Sequence, residues 1–394
     1  MNSNRRVFLK SVGLLGVSTS IRTTKAQTII PQTPIFQFLS PPHLQNFNKQ
    51  TISIVAVFNK PAFAWVEILN DDDTVSQLIY QTEDGMRNAN TEVFKFHVPH
   101  NNKDFKYRVV AKEVLKFEAY KIEYGTTIYS EIIQTQLPFI KDDESHVLIL
   151  NDIHENPESY SLLYNSSSLP RKDLVLLNGD SFHYVTKVDD VINKLLKPIT
   201  NSFASTTPFV LVRGNHETRG SFAREFKSYF DYPQNKFYQS FLLGSTYWII
   251  LDGGEDKPDS HPVYGQTVDY DAYRIEQKNW LADVLKSKER KKAKHTIIVN
   301  HIPWFHSDDW HGTLHNRACF HELVQKNKVD AVISGHTHRH GFYPPDQEHK
   351  YYVIIGGGPK VGERTIVEVS SHKNKLSIVL KNEKGEIINK LEKE

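Results

Sequence analysis

The segment Ala331–Gly341 reads AVISGHTHRHG and sets His336, His338 and His340 within five residues, directly after an apolar run. Histidines this close can ligate a metal or can form a solvated tract. The pattern of an apolar run ending in polar residues recurs along the chain. HVLIL leads into Asn151, Asp152, Ile153 and His154, and LVLL leads into Asn178, Gly179 and Asp180. FVLV precedes Arg213, Gly214, Asn215, His216 and Glu217, YWII precedes Leu251 and Asp252, and TIIV precedes Asn300 and His301. Five of these six run ends carry metal-capable side chains. The resulting set is Asp152, His154, Asp180, Asn215, His301, His336 and His338, all oxygen or nitrogen donors with no thiolate. Such donors suit manganese, iron or zinc and argue against a closed cysteine-zinc site. Seven ligands exceed the needs of one ion. They suit two ions about 3.5–4 Å apart, an arrangement that activates water and clamps a phosphoryl group. One carboxylate should bridge the pair.

The elements that must hold these residues follow from the same runs. Short, continuously apolar runs are strands buried on both faces, as in α/β sheets. Ligands in such sheets gather beyond the carboxyl ends of the strands. VDDVINKLL, SFAREFKSYF, YRIEQKNWLADVLK and ACFHELVQKN are expected to be helical between them. Residues 31–138 read differently. EVFKFHV and FKYRVVA alternate apolar and polar residues, which marks strands with one buried face. TISIVAVF, FAWVEIL and TIYSEIIQT add further strands with turn-rich stretches between them, which suggests a small antiparallel sandwich. The pattern changes after KDDESH, and residues 145–394 form the second expected domain.

The bulk numbers bound the answer. The chain has 394 residues, 39% hydrophobic and 24% charged, as in ordinary globular proteins of about two domains. Its one cysteine, Cys319, excludes an intramolecular disulfide and reads as a structural thiol on a helix face. Arg5, Arg6, Lys10, Arg22 and Lys25 sit in the first 26 residues without an acid. The rest of the chain, at +2 less these five, is weakly acidic at −3, which argues against general nucleic-acid binding. Lys286–Lys294 reads as the solvated end of a helix. NRRVFLK before SVGLLGVSTSI resembles a bacterial twin-arginine export signal, with cleavage expected after Ala26. Asn4 stands where serine or threonine is commoner in that signal. The expected location is periplasmic or secreted, and no stretch reaches the length of a membrane span.

The ordered blocks Asp-x-His, Gly-Asp, Gly-Asn-His-Glu, His and Gly-His-x-His resemble those of the calcineurin-like metallophosphoesterases, over about Val147–Gly358. The resemblance implies an α/β (α+β) domain, a two-sheet β-sandwich flanked by helices. It implies Asp152, His154, Asp180 and His338 as ligands of a first metal. Asp180, Asn215, His301 and His336 would hold a second, with Asp180 as the bridge. His216 then stabilises the transition state or protonates the leaving oxygen. The layout is similar to purple acid phosphatases and their bacterial relatives, which implies a fibronectin type III-like sandwich at 31–138. HIPWFHSDDWH resembles the family's His-x-Pro segment and implies His311 as a substrate contact. KNEKGEIINKLEKE is similar to a terminal hairpin of such phosphatases.

One block departs from the purple enzymes. In GDSFHY the tyrosine position holds His183, Tyr184 falls one residue late, and His154 stands where those enzymes have glycine. The implied enzyme is colourless or weakly coloured, with manganese or ferrous iron favoured over ferric iron. The implied reaction is hydrolysis of a small phosphate monoester by a hydroxide held between two metals. The rivals are a phosphodiesterase acting on cyclic nucleotides or phospholipid headgroups, and an inactive binding protein on the same scaffold. No Walker-type loop is present, and IIGGGP reads as a tight turn. Asp252 and His340 read as structural or solvated. His183, Tyr184, His306 and His315 read equally as rim or site residues.

Overall fold

Each apolar run that precedes a candidate ligand is a strand buried on both faces, in a computed structural model that describes residues 34–101, 103–138 and 143–394. Ser145–Leu150 pairs in parallel with Leu174–Asn178, which pairs in parallel with Phe209–Val212. Thr246–Ile250, His295–Val299, Ala331–Ser334 and Tyr352–Ile355 form the parallel centre of a second, six-stranded sheet. Antiparallel strands Gln239–Leu243 and Gly341–Tyr343 close its edges.

Side-chain alternation explains the continuous burial, because successive residues fill opposite cores. Val147, Ile149, Leu174 and Leu176 point between the sheets, against Trp248, Ile250, Ile297 and Val299. Leu148, Leu150, Val175 and Leu177 point the other way and pack on helical residues such as Tyr160, Leu163, Leu195 and Ile199. The second sheet is covered on its outer face by Leu281 and Leu285 and by Cys319, Phe320 and Val324 of helix His311–Lys326. Two facing sheets flanked by helices are therefore present, with Cys319 as a buried free thiol. SFAREFKSYF departs from its expected helix and forms turns with a 3-10 segment at Phe226–Tyr229. Phe226 and Phe230 are nevertheless buried, so their four-residue spacing reports packing rather than a regular helix.

The N-terminal strands carry their own core around Ile52, Ile54, Phe94, Phe96, Tyr107 and Val109. TISIVAVF and FAWVEIL form one strand, Thr51–Leu69, and not two. It pairs with Thr91–Pro99 through its first half and with Lys106–Glu118 through its second, with an irregularity between Val57 and Ala62. Pro61 lies in that gap and has no N–H to offer a ladder. The three-residue strand His43–Gln45 pairs antiparallel with Thr51–Leu69 and parallel with Phe209–Val212. One 13-stranded sheet therefore runs from the terminal hairpin Lys375–Asn382 and Ile387–Lys393 into the N-terminal strands. Asp231 ties the same seam from the other side, accepting from Asn46 and Ser53 and meeting His97 at 3.2 Å. The expected export signal at 1–26 lies outside the described residues.

Candidate metal centre

The strand ends bring all seven candidate ligands to one place. Asp152, Asp180 and Asn215 follow the carboxyl ends of three adjacent strands of the large sheet. His301, His336 and His338 follow the ends of two strands of the facing sheet. Hydrogen bonds continue past the regular ladder, from Asp152 N to Gly179 O at 3.1 Å and from His154 N to Asp180 O at 2.9 Å. The chain must then turn sharply to aim its side chains inward. Asp152, His154, Asp180, His336 and His338 all have positive φ, between 44° and 72°. Left-handed backbone at a non-glycine residue costs about 1 kcal/mol or more and persists where surrounding structure imposes it. Gly214 is required by proximity, since a Cβ there would lie 2.3 Å from Asp180 Oδ1.

Two groups form around Asp180. Asp152, His154 and His338 offer atoms that converge, with His154 Nε2 2.9 Å from His338 Nε2 and His338 Nε2 3.4 Å from Asp152 Oδ1. Asp180, His301 and His336 form the second group. His301 Nε2 lies 3.0 Å from Asp180 Oδ2, while His154 Nε2 lies 3.6 Å from the same oxygen. Asp180 therefore stands between the two groups. His301 Nδ1 donates to Asn178 O at 2.7 Å, which turns Nε2 toward Asp180.

The chemistry of the donors fits cations. Asn215 Oδ1 faces His336 Nδ1 at 3.0 Å. Hydrogen bonding alone would turn this amide over, so that its nitrogen donates to Asp180 and its oxygen accepts from Arg219 Nη2 at 2.8 Å. A cation in the cluster favours the inward oxygen instead. Burial pushes the Asp152 and Asp180 carboxyls up, but His154 and His338 beside one, and His301 beside the other, outweigh it and hold both well below the usual range. Burial works against a charged His301, yet the Asp180 carboxylate outweighs it and raises that imidazole. A buried site that keeps its carboxylates ionised and draws charge onto histidine is a site built for positive charge.

His216 lies beside this centre in a 3-10 turn. Its backbone N–H donates to Asp180 Oδ1 at 3.0 Å, and its Nδ1 donates to His183 O at 2.9 Å. Its Nε2 is 3.9 Å from Asp180 Oδ2 and 3.1 Å from Arg219 Nη1. Burial, and then Arg219, lower its pKa against the pull of Asp180. His311 stands apart from the seven. It opens helix His311–Lys326, and its Nε2 is held by the Asp271 carboxylate at 2.8 and 2.9 Å.

Four further side chains support the cluster, and of these the sequence marks only His183 as a rim or site residue. Glu217 accepts from the backbone N–H groups of Asp180, Ser181 and Gly214 at 2.7–2.9 Å, so one buried carboxylate holds two ligand loops together. Asn151 donates to Asp152 Oδ2 at 2.6 Å. His183 places Nδ1 3.2 Å from His154 Nδ1 and belongs with His154 and His216 to a further convergent group. Arg219 is fixed by Glu255 at 2.7 and 2.8 Å and presents its guanidinium to His216. Glu217 adjoins the Gly-Asn-His block and was legible as part of it. Glu255 lies 36 residues from Arg219, and no local signal connects them.

The calcineurin-like phosphoesterase family model matches residues 145–340. Purple acid phosphatase 5 of Arabidopsis thaliana is 24% identical over 333 residues, covering 76% of this chain and 75% of that protein. The serine/threonine-protein phosphatase CPPED1 of Mus musculus is 26% identical over 178 residues, covering 43% of this chain and 54% of that protein. The chain thus spans about half the length of the second relative. Among solved structures, GAP50, the anchor in the inner membrane complex of Plasmodium, is 16% identical with a TM-score of 0.46, covering 64% of this chain and 88% of its own. The phosphoesterase Yfce from E. coli is 12% identical with a TM-score of 0.31, covering 62% of this chain and 98% of its own.

Proposed function

We propose that this chain, which belongs to the calcineurin-like phosphoesterase family through residues 145–340, hydrolyses small phosphate monoesters at a two-metal centre. The observation that carries this reading is the convergence of two donor groups on the single carboxylate of Asp180. Asp152, His154, Asp180 and His338 would hold one ion, and Asp180, Asn215, His301 and His336 the other. Manganese, iron or zinc would supply water activation and neutralise charge on the phosphoryl oxygens.

The remaining work falls to the chain's own groups. Arg219 is preorganised by Glu255 and offers charge-assisted donors to a phosphoryl oxygen, without reorganising as charge develops. The His183 carbonyl holds the His216 ring in one orientation, with Nε2 turned toward Arg219 and Asp180. Glu217 keeps the Asp180 and Asn215 loops at a constant separation. His183 in the tyrosine position supports a centre without strong visible absorption. Residues 1–26 support export by the twin-arginine route to the periplasm or beyond. Lysine at both Arg5 and Arg6 should stop that export, and cell fractionation that still finds the variant outside the cytoplasm would refute it.

The deciding experiment combines elemental analysis with phosphate release. Two transition-metal ions per chain and faster turnover of p-nitrophenyl phosphate than of bis-p-nitrophenyl phosphate are expected. A faster diester rate would move the assignment to a phosphodiesterase. A purified chain that binds no transition metal and releases no phosphate would leave only a binding role.

A further inference from the structure

One more convergent group of metal-capable side chains shares no residue with those around Asp180 and His154. It consists of His306, Asp346 and His349. His349 is its anchor. The ring is fully buried and packs against Phe305 and Tyr351, with centroids 5.2 and 5.6 Å away. Its Nδ1 donates to Tyr351 O at 2.8 Å, so in the neutral ring Nε2 is the acceptor. That nitrogen faces His306 Nε2 at 3.0 Å and Asp346 Oδ2 at 3.6 Å.

The other two donors are also held in place. His306 is exposed, but the Tyr343 ring stacks on it, 3.7 Å from centroid to centroid and 11° from parallel. Asp346 is oriented through its other oxygen, because Oδ1 accepts from the backbone N–H groups of Glu348 and His349 at 2.8 and 3.0 Å. Asp346 N in turn donates to His349 O at 2.8 Å. Rings and carboxylate so constrained need little reorganisation to receive an ion.

Hydrogen bonding within the group does not account for the arrangement. A proton on His306 Nε2 would satisfy His349 Nε2, but it would leave Asp346 Oδ2 directed at the same lone pair. Acceptors that face each other repel unless positive charge lies between them. The spacings are those of ligands sharing one ion. Zinc bonds nitrogen and oxygen at about 2.0–2.2 Å, and a tetrahedron of that size has edges of about 3.3–3.6 Å. The separations of 3.0 and 3.6 Å match such edges closely, and one ligand atom from each residue falls within 4.8 Å of the others. Two imidazoles and a carboxylate suit zinc, with water in the fourth position on the exposed side of His306 and Asp346.

The positions of the three residues along the chain give the ion a role. His306 lies in the segment that follows strand His295–Val299 and carries His301. Asp346 and His349 lie in the connection from Gly341–Tyr343 to Tyr352–Ile355, just beyond His336 and His338. We propose that His306, Asp346 and His349 bind one zinc ion, distinct from the centre at Asp180, which fastens the segment carrying His301 to the connection that follows His336 and His338. The site stands independently of the phosphatase reading.

The test measures zinc content and thermal unfolding of the full chain and of His306→Ala and Asp346→Asn, each dialysed against roughly micromolar free zinc. Both positions are exposed, and Asp346→Asn keeps the side-chain size in case His306→Ala misfolds. The wild type should hold one zinc ion per chain more than either variant. Zinc should also raise its Tm by roughly 5 °C more than theirs. The same one-ion difference should recur between Asp180→Asn and the double variant D180N/H306A, which separates this ion from any held at Asp180. Equal zinc content in the wild type and both single variants would overturn the site. A difference that vanishes in the Asp180→Asn background would assign the lost ion to the centre at Asp180 and overturn it as well. A one-ion difference without the Tm shift would overturn the fastening role.

Discussion

His43, in the strand that joins the N-terminal region to the large sheet, and His301, beyond a strand end at the metal centre, are both fully buried. Their surroundings push the two imidazoles in opposite directions. His43 lies between the rings of Phe209 and Phe230, and burial, aided by Lys95, lowers its pKa to about 3. His301 is desolvated just as fully, yet the carboxylate of Asp180 raises its pKa to about 10. Burial by itself therefore does not mark a functional histidine. The carboxylate held in place to meet it is what sets His301 apart from His43. The N-terminal strands place polar side chains outward by alternation. The strand ends of the second region turn polar side chains inward, at the cost of left-handed backbone.

The largest change to this contrast should come from Asp180→Asn. It removes the charge that raises His301 and the carboxylate shared by both donor groups. Turnover should fall roughly 1,000-fold, as for loss of a central electrostatic element, with metal content reduced. Circular dichroism should still report a folded protein. Activity close to that of the wild type would sink the assignment of Asp180.

A smaller effect is expected at His43, and its sign follows from the depressed pKa. The neutral ring is favoured in the folded state, so its stability is fully present above the unfolded pKa of about 6.5 and is lost as pH falls toward about 3. Between pH 7 and pH 5 this one group should remove about 2 kcal/mol. His43→Leu should flatten that part of the profile, read as the difference in chemically measured unfolding free energy at the two pH values. An unchanged acid dependence in the variant would show that His43 is not the group responsible.

Much of the second region was legible because its physics is local. Runs such as HVLIL and TIIV read as strands buried on both faces, and the residues after them sit beyond the carboxyl ends of the strands. Asp152, Asp180, Asn215, His301, His336 and His338 were found in this way. Other features were not legible because they depend on pairs distant in the chain. The link between Arg219 and Glu255, the tie of Glu217 to the Asp180 loop, and the capture of His311 by Asp271 carry no periodicity. The expected helix at SFAREFKSYF failed for a related reason. Its aromatic spacing serves tertiary packing around Phe226 and Phe230, and periodicity cannot separate that from a helix.

The sequence by itself determined which residues could do chemistry, because donor type and strand-end position are properties of single segments. It also determined the alternation of the N-terminal strands and the family to which residues 145–340 belong. Only the tertiary structure decided that His43–Gln45 would carry one sheet through both regions. It alone decided that the donors would divide into two groups about Asp180. Burial and charge pairing are sums over neighbours, and the neighbours that matter here lie tens to hundreds of residues away along the chain.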